Sequence, residues 1–306
     1  MAKEIAVITI HGMGKANPGY YKGFQERLQQ KLGKHWSRVA FGHIYYQDKL
    51  EPNEKFVYER MKRAKTPFRS FILWRALREF FMFYFADPGS LENNKREPTS
   101  AYYQTQEKIA HELRRIYRLL GRDKEKKVFI VAHSLGCQVI SSYIWDKQYA
   151  SASLKSEKKT EVGLFGKEGK TLTTNEDEDA FLSLESLHRF YTCGCNIPLF
   201  TAGHDHIVPI MRPNRDFKWL NYYSRNDALG WPLQPLRGRK ALKDSKYPNN
   251  PTYRELVEDH EIRVGGLLRF WNPLAHECYF TDNSFIDPIA KDIEALIAPP
   301  LIPVKK

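Results

Sequence analysis

Three short stretches of the 306-residue chain carry residue types that could do chemistry. The first is Ala132-His133-Ser134-Leu135-Gly136, which follows the apolar run Val128-Phe129-Ile130-Val131 and leads into a helical pattern reaching about Trp145. A serine on a tight strand-to-helix turn lifts its Oγ above the sheet, and small residues two before and two after it let the strand and helix backbones approach. Ala132 stands where glycine is usual and is small enough for the purpose. The helix that follows brings the positive end of its dipole and a main-chain N–H, that of Leu135, to where an oxyanion would form. A small-x-Ser-x-Gly pattern also arises by chance, so its weight comes from the strand before it and the helix after it. The second stretch is His11-Gly12-Met13-Gly14, directly after the β-branched and apolar run that ends at Ile10. Its glycines permit a sharp turn, and the N–H near Met13 is a candidate second oxyanion donor, although alone it reads as a plain glycine turn. The third is His204-Asp205-His206. Two histidines and an aspartate can hold zinc, but adjacent ligands with no outlying Cys or His at suitable spacing favour a polar loop near the pocket mouth, and no metal is expected.

The framework that must position these residues reads as alternating strands and helices. Strands are expected at Lys3 to Ile10, Val39 to Tyr46, Val128 to Ala132, Phe190 to Phe200 (with a turn), Trp219 to Tyr223 and Glu261 to Val264. Helices are expected at Tyr20 to Leu32, Glu54 to Arg63, Pro67 to Phe85, Tyr102 to Leu120, Phe181 to Leu187 and Ile286 to Leu296. Within Tyr102 to Leu120 the residues Ile109, Leu113, Ile116 and Leu120 recur at helical spacing and Gly121 ends the pattern. Such alternation implies an α/β fold with a mostly parallel sheet of about six strands and helices on both sides. One domain over residues 1–306 is expected, with a helical insertion or cap at 50–120, between the second strand and the serine strand, and a charged surface excursion at 151–180. The stretch from Phe68 to Phe85 is rich in aromatics but broken by Arg69, Arg75, Arg78 and Glu79. It reads either as a core helix or as a cap favouring a greasy acyl group.

Through Ile8-Thr9-Ile10-His11-Gly12-Met13-Gly14 and Phe129-Ile130-Val131-Ala132-His133-Ser134-Leu135-Gly136 the sequence resembles the α/β-hydrolase superfamily, within it the lipase and esterase-like serine hydrolases. The resemblance implies the chain order nucleophile, acid, histidine. Carried onto this chain it implies Ser134 as nucleophile, Asp227 in the turn after Trp219 to Tyr223 as acid, and His276 before the last helix as base. Asp205, after the preceding strand, is the competing acid. Met13 and Leu135 would supply the oxyanion N–H groups, supported by His11, Gly12, Gly14, Ala132, His133 and Gly136. The implied activity is hydrolysis of small-molecule or lipid carboxylic esters without a cofactor. Thioester hydrolysis, acyl transfer and a catalytically silent interaction module at anionic membranes are the rivals.

Composition sets outer limits. With 42% hydrophobic and 27% charged residues the chain is neither disordered nor fibrous. A mean hydropathy of -0.57 and the lack of a long apolar run argue against a spanning helix. The first strand stands where a secretory leader would lie, so a cytoplasmic protein is expected. The net charge of +12 favours anionic partners, yet it is spread over several runs with no nucleic-acid motif between them, which leaves peripheral contact with anionic membrane as the partner to consider. Cys137, Cys193, Cys195 and Cys278 are expected as buried thiols.

Overall fold

A computed structural model describes residues 3–14, 16–63, 83, 86–92, 99–154, 175–265 and 273–297. Its six strands, β1 (Ile5–Ile10), β2 (Val39–Ile44), β3 (Lys127–His133), β4 (Leu187–Cys193), β5 (Lys218–Tyr223) and β6 (Val257–Glu261), form one sheet in the order β2-β1-β3-β4-β5-β6. Every neighbouring pair is parallel. The described helices are α1 (Lys22–Leu32), α2 (Gln47–Arg63), α3 (Ala86–Glu92), α4 (Ala101–Leu119), α5 (Leu135–Leu154), α6 (Glu176–Leu182), α7 (Ile197–Thr201), α8 (Tyr253–Leu256) and α9 (Asn283–Ile297). Three of them, α2 to α4, lie between β2 and β3.

Both faces of the sheet are covered, which is why β1 is apolar throughout rather than alternating. Because side chains alternate along a strand, Ile5 and Val7 join Phe24 and Leu28 of α1 and Phe285, Ile289 and Ile293 of α9. Ala6, Ile8 and Ile10 point the other way, to Ile109, Leu113 and Ile116 of α4 and Ile140 and Ile144 of α5. Each fully buried aliphatic side chain contributes about 1.5–3 kcal/mol. The four cysteines are buried as thiols. No helix among the described residues is long and apolar enough to cross a membrane.

Several boundaries differ from the sequence reading. The final strand is Val257–Glu261, not Glu261 to Val264. It is a polar edge strand, in which Asp259 accepts from Asn221 Nδ2 at 2.8 Å, and a Thr252–Glu255 capping box drives a single helical turn straight into it. The expected helix from Phe181 to Leu187 is displaced: α6 spans Glu176–Leu182, and Leu187 already belongs to β4. The acidic run Glu176 to Asp179 forms the first turn of α6, where carboxylates face the positive dipole end, and Asn175 caps it through the Asp177 N–H at 2.9 Å. Of the stretch 151–180, Ser151 to Leu154 belong to α5 and Glu176 to Ala180 to α6. Residues 155–174 within it, and the aromatic stretch 68–85 apart from Phe83, lie outside the described residues. After β4 the chain turns into α7 instead of continuing extended to Phe200.

The register aligns the carboxyl ends of the central strands: Ile10 pairs with Ile44 and Ala132, His133 with Cys193, and Cys193 with Tyr222. From β1 the sheet order departs to β2 on one side and β3 on the other. In open parallel sheets the crevice beyond the carboxyl ends at such a switch point is where ligands bind. Here it is bordered by His11 to Gly14, which follow β1, and by Ser134, which follows β3.

Candidate active site

Ser134 occupies the turn between β3 and α5 with φ +53°, a left-handed conformation uncommon for a non-glycine residue. The turn is pinned on both sides: Ser134 N–H donates to Cys193 O at 3.0 Å, and Ser134 O accepts from Cys137 N–H at 3.0 Å. Gly136 lets the first turn of α5 lie directly on the end of β1. A Cβ at this position would sit 2.4 Å from the main-chain oxygen of His11. Gly12 faces the elbow from the other side, where a Cβ would come within 2.6 Å of Ser134 Cβ. Leu135 is the first residue of α5, so its N–H is one of the donors that a helix start leaves without an intrahelical acceptor.

The turn after β1 is held through its peptide planes. Gly12 O lies 2.7 Å from His11 Nδ1 and 3.1 Å from the Tyr46 hydroxyl. Tyr46 N–H donates to His11 Nε2 at 3.1 Å, which makes Nε2 the acceptor and leaves Nδ1 to carry the proton toward Gly12 O. Burial pulls the His11 pKa down to about 4, so this neutral tautomer persists. In a trans peptide the C=O and N–H point opposite ways. With Gly12 O engaged by interior groups, the N–H of Met13 faces away from them, and Met13 lines a cavity of about 340 Å³ together with Ser134 and His276.

His276 lies on a 3-10 turn, Pro273–Glu277, with Nδ1 2.9 Å from both carboxylate oxygens of Asp227. The carboxylate also accepts from Leu229 N–H and from the Tyr279 hydroxyl, each at 2.9 Å, while Tyr279 itself accepts from Ser224 N–H at 3.0 Å. Burial alone would raise the pKa of Asp227, but these donors, His276 first, outweigh it and hold the carboxyl below its ordinary range. An ionised Asp227 fixes the proton on Nδ1 and leaves Nε2 as the basic nitrogen. Nε2 is buried and has no hydrogen-bond partner among the described residues. Ser134 Oγ is 3.5 Å from Asn196 Nδ2, so the serine and histidine share the cavity without being hydrogen-bonded to each other. His133 braces the base from beside the serine, its Nε2 donating to His276 O at 2.7 Å and its ring 4.7 Å from the imidazole.

Asp205 is remote from this chemistry: it pairs with Arg239 at 3.0 Å and Lys240 at 2.8 Å, and that Lys240 bond first of all holds its carboxyl low. His206 Nδ1 turns to Ala241 O at 3.1 Å. Among the described residues no group of three or more His, Cys, Asp or Glu could hold a metal ion. From the sequence, Gly230 closes the turn that holds Asp227 and Asp87 is left without a role at the pocket rim, while Gly194, Tyr279 and Asn196 are missed. Gly194, a glycine just past β4 with φ +54°, and Tyr279, three residues after His276, carry a local signal, whereas Asn196 and Asp87 come beside the site through the fold.

Fold and site together define a class: an α/β protein with serine, histidine and aspartate at the carboxyl edge of an all-parallel sheet. No family model and no curated protein matches the chain. A solved structure, a novel cutinase-like protein from Cryptococcus sp., aligns with 96% of this chain and 94% of its own at 9% identity and a TM-score of 0.35, a likeness too slight to carry an argument.

Proposed function

We propose that the protein is a serine hydrolase of the α/β-hydrolase kind, cleaving carboxylic esters through an acyl-enzyme. The observation that carries this reading is the buried His276–Asp227 contact at 2.9 Å, with Nε2 unpartnered in a histidine that lines the same cavity as Ser134. In the proposed cycle Ser134 Oγ attacks the acyl carbon as its proton passes to His276 Nε2. Asp227 stabilises the imidazolium, and the N–H groups of Met13 and Leu135 receive the oxyanion. Collapse breaks the carbon–oxygen bond to the alcohol, which leaves with the proton from Nε2. Water then repeats the sequence against the acyl-enzyme, and Ser134 regains its proton. The absence of a Ser134–His276 hydrogen bond fits a resting state, since such bonds tighten when substrate arrives.

A second reading, a catalytically silent module on anionic membranes, is favoured by one observation, that Ser134 Oγ sits beside Asn196 and not beside Nε2. One experiment separates the two. A fluorophosphonate should label the wild type and not Ser134→Ala, and a panel of p-nitrophenyl esters of graded length should be turned over with at least a ~10³-fold loss in the variant. Folded wild type that neither labels nor turns over any ester, yet binds anionic vesicles equally with and without Ser134, would overturn the hydrolase.

A further inference from the structure

Behind the turn after β1 lies a buried pair of carboxyl groups that the proposed reaction does not use. Asp87, in the first turn of α3, is fully buried, and Glu54 of α2 is 5% exposed. Asp87 Oδ2 accepts from Gly14 N–H at 2.8 Å, and Oδ1 accepts from Gln47 Nε2 at 3.2 Å. The Glu54 carboxyl is close enough to that of Asp87 for the two to compete for one proton, yet neither Glu54 oxygen meets a partner at hydrogen-bonding geometry. Burial first, and Asp87 second, push the Glu54 pKa up to about 9. Burial, first of its causes, raises the Asp87 carboxyl as well, so at neutral pH the pair keeps a proton between them while Asp87 faces the N–H of Gly14. Two carboxyls removed from water are costly to keep. An acid serving only the start of α3 would turn to that helix's own N–H groups at the surface. Asp87 instead reaches across 73 positions to a single N–H of another segment.

We propose that Asp87 is a positioning residue for the oxyanion turn: through Gly14 it fixes the peptide that follows Met13 and so holds the Met13 N–H on the reacting carbonyl, with Glu54 as its buried partner. This rests on the hydrolase reading. His11 and Tyr46 fix the Gly12–Met13 peptide and Asp87 fixes the next, so each of the two planes flanking Met13 has its own clamp. Gly14, at φ +88°, is the joint that would swing if Asp87 let go.

The test is p-nitrophenyl acetate kinetics on the full chain. Asp87→Ala should lower kcat about 10- to 100-fold, in the range of losing one oxyanion donor or less, with KM within about threefold. Asp87→Asn keeps one carbonyl oxygen for Gly14 and should recover most of the loss, which a charge-only or purely structural role would not produce. In isotope-labelled wild type the Gly14 amide should be protected from exchange and should shift when Ser134 is phosphonylated, a measurement that stands even if Asp87→Ala fails to fold. Active wild type with unchanged kcat in Asp87→Ala, or a freely exchanging Gly14 amide, overturns this proposal alone. A wild type that neither labels nor turns over ester overturns the hydrolase reading and this inference with it.

Discussion

At the scale of single residues the candidate site depends on what is left out as much as on the groups that react. Asp227 and His276 meet across Gly194 and Gly230, and a side chain at either position would collide with them. A Cβ on Gly230 would lie 2.4 Å from Asp227 Oδ2 and 3.0 Å from Gly194 Cα. The second contact is with main chain, so the clash cannot be relieved by rotating a flexible tip. Gly230→Ala should therefore displace the carboxylate and release the Nδ1 tautomer while leaving the cavity's substrate-facing walls intact. The expected outcome is a fall in kcat of about tenfold or more with little change in KM, since the loss falls on transition-state stabilisation. Steady-state kinetics on the best ester of the panel checks it. A kcat within twofold of wild type would show that the Asp227–His276 contact tolerates displacement and that Asp227 is not the orienting acid.

Among elements the critical junction is that of β1, β3 and α5. Gly136 places the start of α5 on the main chain of Ile10 and His11, and the Cβ of an alanine would stand 2.4 Å from His11 O and 3.1 Å from Ile10 O. Neither backbone can give way without moving its strand or helix. Gly136→Ala should cost about 1–3 kcal/mol, as overpacking does, and should slow fluorophosphonate labelling more than tenfold because the Leu135 and Met13 N–H groups are pushed apart. Urea denaturation and labelling rate together check this. Labelling at the wild-type rate in a destabilised variant would place the oxyanion donors elsewhere. This junction is legible in the sequence because its signals are contiguous: apolar runs buried on both faces, each ending in a small-residue turn. The chain order that the resemblance implies points to His276 and to Asp227 ahead of Asp205, but order carries no distances, and the 2.9 Å contact and the missing Ser134–His276 bond belong to the folded molecule. Strand β6 is illegible for a different reason. As a polar edge strand its residues satisfy partners such as Asn221 and Lys218 rather than a core, which erases the apolar pattern. The reach of Asp87 to Gly14 leaves no local pattern at all.

For the whole molecule the buried titratable groups pull stability in opposite directions with pH. His11 and His133 are held near pKa 4, burial being the main cause in each, against about 6.5 in an unfolded chain. Between pH 6.5 and 4 the unfolded state binds more protons than the native state at these sites, so stability falls as pH falls, by up to about 3 kcal/mol for His11. Asp227, held low, adds to this decline only at lower pH, as its carboxylate protonates. Glu54 acts the other way. Raised from 4.5 to about 9, it binds its proton in the native state over a range where the unfolded chain has lost it, so stability falls as pH rises. Above pH 6.5 these two histidines are largely neutral in both states, and Glu54, with the Asp87 carboxyl raised beside it, drives the decline until about pH 8, where Lys147, lowered chiefly by burial to about 8, begins to oppose it. The urea midpoint should accordingly peak near pH 6–7, with a decline of about 2 kcal/mol at most from pH 6.5 to 8, the full value holding only if Glu54 is screened from water throughout. Glu54→Gln, which keeps a neutral hydrogen-bonding group beside Asp87, should flatten that alkaline limb and steepen the acid limb above pH 4.5, where Glu54 opposes the histidines. Urea titrations of wild type and variant from pH 4.5 to 8 check both limbs. An alkaline limb that survives in Glu54→Gln would mean that the buried proton between α2 and α3 belongs to another group.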